Sequence, residues 1–408
     1  MELQKFPPDI YKGFDPKEKK PLRKQAKKVV IKPVLTAEEI EALEGTHFND
    51  AEKGKVRRDS EGNIKAEIQG KDKSTYTIFD TDVDIYAEKD GKEVLLAKLR
   101  KQVIDPATVK IGWEGFWITA APSRNRGAAA GPIDVKGKYW KGKNPTDING
   151  WSAKYKLDGK AVSNMRVNNN VFSSVLGYFD ATPFMKLPCR LTSYTARFWK
   201  YYKHGLPFIQ AIDDCFRELV PDRYKLQRAA AEQKPLLHIA GTSFSSVTVN
   251  RNFRTALHKD AGDFKEGYGN LSVIERGKYQ GGYTLFPQYG VGFNVRTGDF
   301  LAMDVHEWHT NTEMYELPDD AAFNKTLPRI HKDDLETGTL GAEKPYTRVS
   351  FVCYLREKLR ACNTKDTNQY FKKIGFNARS MTLKTKKEMS ARKTRKAMAN
   401  AKDENRPS

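Results

Sequence analysis

The chain has 408 residues, 39% of them hydrophobic and 11% aromatic, which is enough for the packed core of one large domain with extensions or of two domains. Its 71 Lys and Arg against 51 Asp and Glu give a net charge of +20. This charge favours nucleic acid as the partner and an anionic membrane second, although a solvated basic surface or unstructured tails would also account for it.

No apolar run approaches the ~20 residues that span a bilayer. We therefore expect a soluble, intracellular monomer without a membrane partner, in the cytoplasm of a bacterial (phage-infected) host or the nucleus of a eukaryotic one. The four cysteines, Cys189, Cys215, Cys353 and Cys362, show no C-x-x-C spacing. They predict free, buried thiols in a reducing compartment, not a disulfide frame or a zinc site.

Residues 1–34 are rich in Lys and Pro and predict a flexible basic arm, which serves either as a phosphate contact or as a solvated linker. Residues 35–160 predict a helix and strand extension. It opens with a capping box at Thr36 and a short helix that stops at Gly45. Further along, two strand-like runs flank the hairpin signal Asp90-Gly91.

The last part of this extension, residues 122–151, is a loop-rich basic segment that interleaves cations with aromatic residues. Arg124 and Arg126 are candidate substrate-binding residues because cations hold phosphates. Tyr139 and Trp140 are candidates to stack on an unpaired base. An ordinary surface loop is the alternative.

Helices precede the strand-rich part of the chain. Pro207 predicts the start of an amphipathic helix that breaks at Pro221, and a second helical piece ends before Pro235. Residues 207–234 are therefore expected to brace one sheet from outside.

The stretch from Thr242 to Thr312 carries an ordered set of motifs. His258-x-Asp260 ends a strand-like run, Gly281-Gly282 marks a hairpin, and Gly298-Asp299 opens a strand that leads to His309. A His and an Asp two apart on a strand point to the same side. Two His and one carboxylate can hold Fe(II) on one face and leave the other open, so His258, Asp260 and His309 are the candidate metal ligands and catalytic residues.

An arginine completes the set. Arg348 begins the strand RVSFVCYL, and its planar fork matches the far carboxylate of 2-oxoglutarate, with Arg296 as the fallback. His306 competes with His309, but the two are three apart and so face opposite sides of a strand. Each motif is common alone; the ordered set indicates an iron oxygenase.

The residues around His258 give further candidates. Strand alternation places Asn250, Asn252 and Arg254 on the face of His258. Asn250 and Arg254 are candidate cofactor-binding residues and Asn252 a candidate substrate-binding residue, with an exposed strand face as the alternative. The carboxylate of Asp263 can accept a hydrogen bond from cytosine N4, or it can cap the following turn.

The segments NRNFRTALHKDAGDF, YGNLSVIERGKYQGGYTLFPQYGVGF, GDFLAMDVHEWHTNTE and RVSFVCYL resemble the TET/base-J-binding-protein branch of the 2-oxoglutarate/Fe(II) dioxygenases. LLAKLRKQVI, SRNRGAAAGP, VLGYFD and PCRLTSYT are similar to phage, fungal and algal members, so the resemblance covers roughly residues 75 to 356. The spacing of His309 from Gly298-Asp299 matches the family pattern. In the place of Asp263, animal members carry a base-contacting Asn.

The resemblance implies an α+β, mainly β fold. Its core, residues 161–356, would be a double-stranded β-helix (jelly roll) with residues 313–344 inserted before Arg348, followed by a basic tail at 357–408. It implies Fe(II), 2-oxoglutarate and O2 as cofactor and co-substrates, and DNA with a flipped 5-methylpyrimidine as partner. We expect oxidation of 5-methylcytosine to 5-hydroxymethylcytosine. The alternatives are thymine hydroxylation to 5-hydroxymethyluracil and a DNA-binding protein with a vestigial iron site.

Overall fold

Two large, curled sheets organise the protein, whose computed structural model describes residues 6–161, 166–331, 338–378 and 380–384. The helices within these ranges are α1 (Ala37–Glu41), α2 (Pro106–Phe116), α3 (Ser193–Arg197), α4 (Trp199–Leu219), α5 (Pro221–Glu232), α6 (Pro318–Asn324) and α7 (Thr364–Ile374). The capping box at Thr36 is confirmed, because its hydroxyl accepts from the Glu39 amide and the Glu39 carboxylate accepts from the Thr36 amide.

The strands alternate buried and exposed residues at the sheet edges and are buried throughout in the centre, as sheets covered on both faces require. The first twelve are β1 (Lys27–Ile31), β2 (Asn49–Asp50), β3 (Arg57–Arg58), β4 (Ile64–Gln69), β5 (Lys73–Phe79), β6 (Val83–Lys89), β7 (Lys92–Arg100), β8 (Pro122–Ser123), β9 (Asn144–Asn149), β10 (Ser152–Leu157), β11 (Lys160–Ala161) and β12 (Val171–Phe179). The others are β13 (Arg190–Leu191), β14 (Ser246–Arg251), β15 (Gly269–Arg276), β16 (Gln280–Gly281), β17 (Thr284–Phe286), β18 (Val291–Phe293), β19 (Phe300–Met303), β20 (Thr310–Asn311), β21 (Met314–Tyr315), β22 (Thr347–Tyr354), β23 (Phe376–Asn377) and β24 (Thr382–Leu383).

The larger sheet has the order β1-β6-β7-β19-β15-β22-β14-β12-β13, and β8 pairs with β12. The smaller one has the order β2-β4-β5-β18-β17-β20, and β3 pairs with β4. Apolar side chains from both sheets, such as Phe79, Leu271 and Phe293, form one core cluster between them. The predicted class, α+β and mainly β with a jelly-roll core, is confirmed.

The N-terminal residues differ from the prediction of a flexible basic arm at 1–34 and a helix and strand extension at 35–160 outside the core. Strands β1, β6 and β7 belong to the larger sheet, and β2, β4 and β5 to the smaller one. Ile10 is fully buried, and Phe14 stacks on Trp113 with 5.7 Å between ring centroids. The core strands β18 and β19 would otherwise expose unpaired edges, and sequence patterns do not show which distant strands cover an edge.

The prediction that Pro207 opens a helix is wrong, because α4 begins at Trp199 and carries Pro207 inside it. Its buried side runs without interruption past the proline, through Trp199, Tyr202, Gly205, Phe208, Ile209 and Ile212. Packing of this continuous face offsets the one backbone hydrogen bond that a proline removes.

The prediction of four free thiols is wrong for two of them, because Cys189 and Cys362 form a disulfide with a Cα–Cα distance of 6.0 Å. They are 173 residues apart, so only the fold brings them together. Cys215 and Cys353 are free and buried, as predicted. Within the described ranges no helix is long and apolar enough to cross a membrane. The predicted tail at 357–408 is wrong for its first part, because α7, β23 and β24 are folded there and Phe371 and Phe376 are buried in the core; the residues from 385 onward lie outside the described ones.

Candidate metal and co-substrate site

His258 and His309 lie side by side on a short antiparallel bridge. The His258 amide donates to the His309 carbonyl at 3.1 Å, and the His309 amide donates back at 3.0 Å. Their ring centroids are 4.4 Å apart. Asp260 faces both rings. Its Oδ1 lies 3.7 Å from Nε2 of His258, and its Oδ2 lies 3.7 Å from Nε2 of His309. One ligand atom from each of the three residues falls within 4.8 Å of the others.

Backbone carbonyls orient both imidazoles. Nδ1 of His258 lies 2.8 Å from the Ala256 carbonyl oxygen, and Nδ1 of His309 lies 2.9 Å from that of Glu307. A proton on each Nδ1 leaves each Nε2 lone pair free, which is the tautomer that a metal ligand needs. Burial, with the neighbouring His258 charge, lowers the pKa of His309 to about 4, so its ring is neutral near pH 7. His306 turns away, and its Nε2 lies 3.3 Å from the Phe264 carbonyl oxygen.

The three residues stand in a cavity of about 330 Å³ that also contains Arg348. Arg348 is only 4% exposed, and its Nε and Nη2 are buried without a hydrogen-bond partner. An unpaired buried guanidinium is costly unless a ligand satisfies it. Ser350, Asn250 and Thr284 line the same cavity, so the site offers two free Arg donors together with hydroxyl and amide groups.

Arg296, the alternative anchor, is already engaged. It donates to Asn294 Oδ1 at 2.6 Å, to the Gly281 carbonyl at 3.0 Å and to Glu275 Oε1 at 3.2 Å. The Glu275 carboxylate also accepts from the Thr297 amide at 2.7 Å. Arg296 therefore has a structural role, and Arg348 is the arginine whose donors are open to a co-substrate.

One wall of the cavity is a loop that includes Arg126 and Ala129. The Ala256 amide donates to the Ala129 carbonyl at 3.0 Å, so the loop pairs with the segment that leads to His258. At Gly131 a Cβ would lie 2.3 Å from Nε2 of His47, so only glycine allows this approach. Arg126 lines the cavity with a buried, unpartnered Nε.

Asn168 and Asn169, the first two of three consecutive buried asparagines, hold this loop in place. Asn168 accepts from the Gly127 amide at 3.0 Å and donates to the Trp151 carbonyl at 2.9 Å. Asn169 donates to the carbonyls of Ala130 and Pro132 and accepts from the Asp134 amide at 3.0 Å. Asn170 donates to Thr339 Oγ1. Sequence reasoning missed this role, although a run of three Asn before a buried strand is the signal that could have indicated it.

Strand alternation does not hold beyond Arg251. Asn252 has φ +47°, which ends the strand, and its side chain donates to the Gly341 and Tyr346 carbonyls. Arg254 donates to the Phe48 carbonyl at 3.0 Å. The prediction that both share the face of His258 is therefore wrong, because one left-handed residue rotates the chain. Asn250 does line the cavity, and so do Phe253 and Thr255.

Asp263 is not among the residues that line the cavity, and its amide donates to the Asp260 carbonyl at 3.4 Å. Its backbone bridges Arg356, and its Oδ2 is buried without a partner. Burial, and then the negative charge of Asp260, raises the pKa of the Asp263 carboxyl well above its usual range, against the opposing effect of Arg356. The structure therefore does not place Asp263 in the cavity lining, where the predicted contact with a substrate base would need it.

The aromatic residues of the basic segment are not free to stack on a base. Trp140 is 6% exposed. Arg124 and Lys143 lie over the ring of Tyr139, at 3.5 and 4.0 Å from its centroid. The prediction of base stacking by Tyr139 and Trp140 is therefore wrong. Cavity residues that the sequence did not single out include Glu44, Asn125 and Lys259.

Part of the chain is similar to known proteins. Residues 174–357 match the family model described as the oxygenase domain of the 2OGFeDO superfamily, Tet_JBP. Thymine dioxygenase JBP1 of Trypanosoma brucei brucei is 39% identical over 155 residues, which are 38% of this chain and 18% of that protein. The bifunctional helicase and thymine dioxygenase JBP2 of Leishmania infantum is 34% identical over 188 residues, 46% of this chain and 15% of that protein.

The solved structure of NgTET1 in complex with 5mC DNA aligns with a TM-score of 0.42 and 11% identity, over 72% of this chain and 86% of that one. The chain spans less than a fifth of the length of the two curated relatives. Residues 174–357 thus resemble a Tet_JBP oxygenase domain of the 2OGFeDO superfamily.

This superfamily uses Fe(II), 2-oxoglutarate and O2, and the residues fit those groups. Two imidazole nitrogens and one carboxylate are the donor set of a non-haem Fe(II) site with open positions. The two unpaired donors of Arg348 match a carboxylate.

Proposed function

We propose that this protein is an Fe(II)- and 2-oxoglutarate-dependent dioxygenase that oxidises the C5 methyl group of a pyrimidine in DNA. The observation that carries the proposal is the single cavity in which His258, Asp260 and His309 converge beside the unpaired guanidinium of Arg348. The alternative of a vestigial site is disfavoured because all four groups are present and oriented.

In this proposal each residue has a distinct task. His258, Asp260 and His309 hold the metal, and the Ala256 and Glu307 carbonyls fix the ring tautomers. Arg348 binds the far carboxylate of 2-oxoglutarate, with Ser350 and Asn250 beside it. Bound iron, with 2-oxoglutarate and O2, would supply the oxidation of the methyl group. The loop that contains Arg126 forms the wall next to which the substrate base sits.

A base inside a duplex cannot reach a cavity of this kind, so the target nucleotide is flipped out at a cost of a few kcal/mol. The net charge of +20 supports phosphate contacts that offset this cost. DNA is thus the proposed partner. The family relationship supports the same choice, since the curated relatives are named thymine dioxygenases.

The finer proposal is 5-methylcytosine as the substrate base. It rests on the sequence position of Asp263, five residues after His258, because its carboxyl keeps an acceptor oxygen for the cytosine amino group even when protonated, although in this structure it lies outside the cavity lining. Thymine is the second candidate, and the names of the curated relatives favour it. The two bases present the same methyl group and differ in the donors and acceptors of their Watson–Crick edges.

Nucleoside mass spectrometry tests both levels. Protein reconstituted anaerobically with Fe(II) is given 2-oxoglutarate, air and matched duplexes that each carry one 5-methylcytosine or one target thymine. We expect 5-hydroxymethylcytosine, with kcat/KM at least about tenfold above that for thymine, because a mismatched edge costs about 1–3 kcal/mol. Equal or faster conversion of thymine would overturn the cytosine assignment. Absence of any oxidised nucleoside, with 2-oxoglutarate still consumed, would overturn the DNA assignment.

A further inference from the structure

Tyr139 holds two positive charges against one ring. The guanidinium carbon of Arg124 lies 3.5 Å from the ring centroid and Nζ of Lys143 lies 4.0 Å from it. Lys143 also donates to the Tyr139 carbonyl, which fixes the ammonium group. Trp140 and Tyr155 pack edge-on against Tyr139, with ring centroids 5.3 and 6.1 Å away, so the ring itself is held.

No carboxylate neutralises this pair in the part of the chain that the structure describes. Neighbouring cations behave differently, because Lys154 and Arg166 both form ion pairs with Asp147. In the basic arm, Lys24 pairs with Glu218. The surrounding segment from Pro122 to Lys143 has six cations and one acid: Arg124, Arg126, Lys136, Lys138, Lys141 and Lys143 against Asp134. Like charges held together repel one another, and a bound anion removes that cost.

The pair stands next to the cavity. Arg126 lines the cavity, and Arg124 lies two residues before it in the chain. Their Cα atoms are therefore at most ~7.6 Å apart. The Arg124 carbonyl accepts from the Asn168 amide at 3.0 Å, and the Asn168 side chain holds the next turn of the loop. The cations are thus positioned before any ligand arrives, and such positioning lowers the entropy lost on binding.

We infer that Arg124 and Lys143, held by Tyr139, form a clamp for a DNA backbone phosphate beside the nucleotide whose base enters the cavity. This inference rests on the proposed function. A phosphate fits better than a base, because Tyr139 is covered by the cations and offers charge rather than a free ring. A contact of this kind positions the strand without reading its sequence.

The first test measures duplex binding by fluorescence anisotropy over a range of salt concentrations, with no need for turnover. Arg124→Gln/Lys143→Gln should reduce the log–log salt slope by about 1.8, the value for two lost phosphate contacts. Lys154→Gln removes one charge from a paired cation on the neighbouring strand and should leave the slope unchanged. If the salt slope changed by the same amount per lost charge in both variants, the effect would be one of general charge, and the clamp would be overturned.

Two ring variants separate the clamp from loss of folding. Tyr139→Phe keeps the aromatic ring under the two cations and should bind DNA as the wild type does. Tyr139→Leu keeps both charges but removes the ring that holds them, and it should bind DNA more weakly. Matching thermal unfolding of the variants is checked first. Wild-type binding by Tyr139→Leu at equal stability would overturn the role of the ring.

The phosphate is located with duplexes that carry one neutral methylphosphonate beside the target base. In the wild type this change should weaken binding several-fold, and in Arg124→Gln/Lys143→Gln it should add little further loss. Additive losses would overturn the assignment. Tighter binding of double-stranded RNA would overturn DNA as the partner. DNA binding is measured separately from base oxidation. Unchanged binding by Arg124→Gln/Lys143→Gln would therefore contradict the clamp alone, and absence of base oxidation would contradict the proposed function alone.

Discussion

The backbones of His258 and His309 exchange two hydrogen bonds, at 3.1 and 3.0 Å, so each histidine sets the position of the other. This reciprocal bridge joins two segments that are 51 residues apart in sequence. Asp260 is placed by the same pairing, because its amide donates to the Val305 carbonyl at 3.0 Å. The metal donor set is therefore built by β-pairing, before any ion is bound.

Removal of any one donor should prevent iron binding. His258→Ala, Asp260→Ala and His309→Ala are each expected to lose stoichiometric Fe(II) after anaerobic reconstitution, and with it turnover, because two protein ligands hold this metal poorly. Metal analysis together with 2-oxoglutarate decarboxylation measures both effects. His306→Ala is the matched control and should retain iron. Iron retained by His309→Ala and lost by His306→Ala would reverse the assignment.

Arg348→Ala should raise the KM for 2-oxoglutarate by about ten- to a hundredfold, since a charge-assisted contact contributes roughly 1.5–3 kcal/mol. Binding of methylated DNA should change little. Steady-state kinetics with varied 2-oxoglutarate measure the effect. Arg296→Ala is the control. Because Arg296 bonds to Asn294, Gly281 and Glu275, this variant should lower the free energy of unfolding without the specific rise in the KM for 2-oxoglutarate. An unchanged KM in Arg348→Ala would place the anchor elsewhere.

Asn169→Ala should release the cavity loop, because it removes three hydrogen bonds and leaves buried backbone groups unpaired, at a cost of about 1–3 kcal/mol. We expect a lower free energy of unfolding and a several-fold higher KM for DNA, with the KM for 2-oxoglutarate unchanged. Asn63→Ala, a buried asparagine that bonds to Asp59 and Thr81, is the control for stability loss alone. If both variants show the same KM for DNA, the loop does not position substrate.

The cystine offers a prediction about stability. Replacement of Cys189 and Cys362 by Ser should lower the free energy of unfolding by up to about 5 kcal/mol, the loop-closure figure for a loop of this length. Urea denaturation with and without reductant measures it, and reduced wild type should approach the variant. Identical midpoints for oxidised and reduced wild type would contradict this role.

His47 should contribute to acid sensitivity. Burial, and then repulsion by Arg254, lowers its folded-state pKa to about 4, against the opposing effect of Glu313. Below about pH 6.5 His47 binds a proton in the unfolded chain but stays neutral in the folded protein. The free energy of unfolding should therefore fall as the pH drops from about 6.5 to about 4. His47→Gln should fall less steeply over this window in denaturation measured at several pH values. Parallel profiles would rule out His47 as a source.

The sequence allowed prediction of what depends on local order. His258-x-Asp260, the distal His309 and the strand near Arg348 were found from their order and spacing in the sequence, and the structure brings them together, although His258 and Asp260 lie beyond the end of β14. The assignment of Asn252 and Arg254 failed because one residue with positive φ reverses the alternation. The Cys189–Cys362 bond and the pairing of β5 and β7 with core strands depend on contacts between distant segments, which periodicity does not report.

From the pairing of the N-terminal strands we expect these strands to belong to the smallest unit that can fold. Strand β7 pairs with β19, and β5 pairs in parallel with β18. A truncated chain that began at residue 174, where the family match begins, would lack both partners and would also start inside β12. Its two bare edges would invite self-association. We therefore expect residues 174–357, which match the family model, to be too short to fold alone, and expression of the domain to need the N-terminal strands as well.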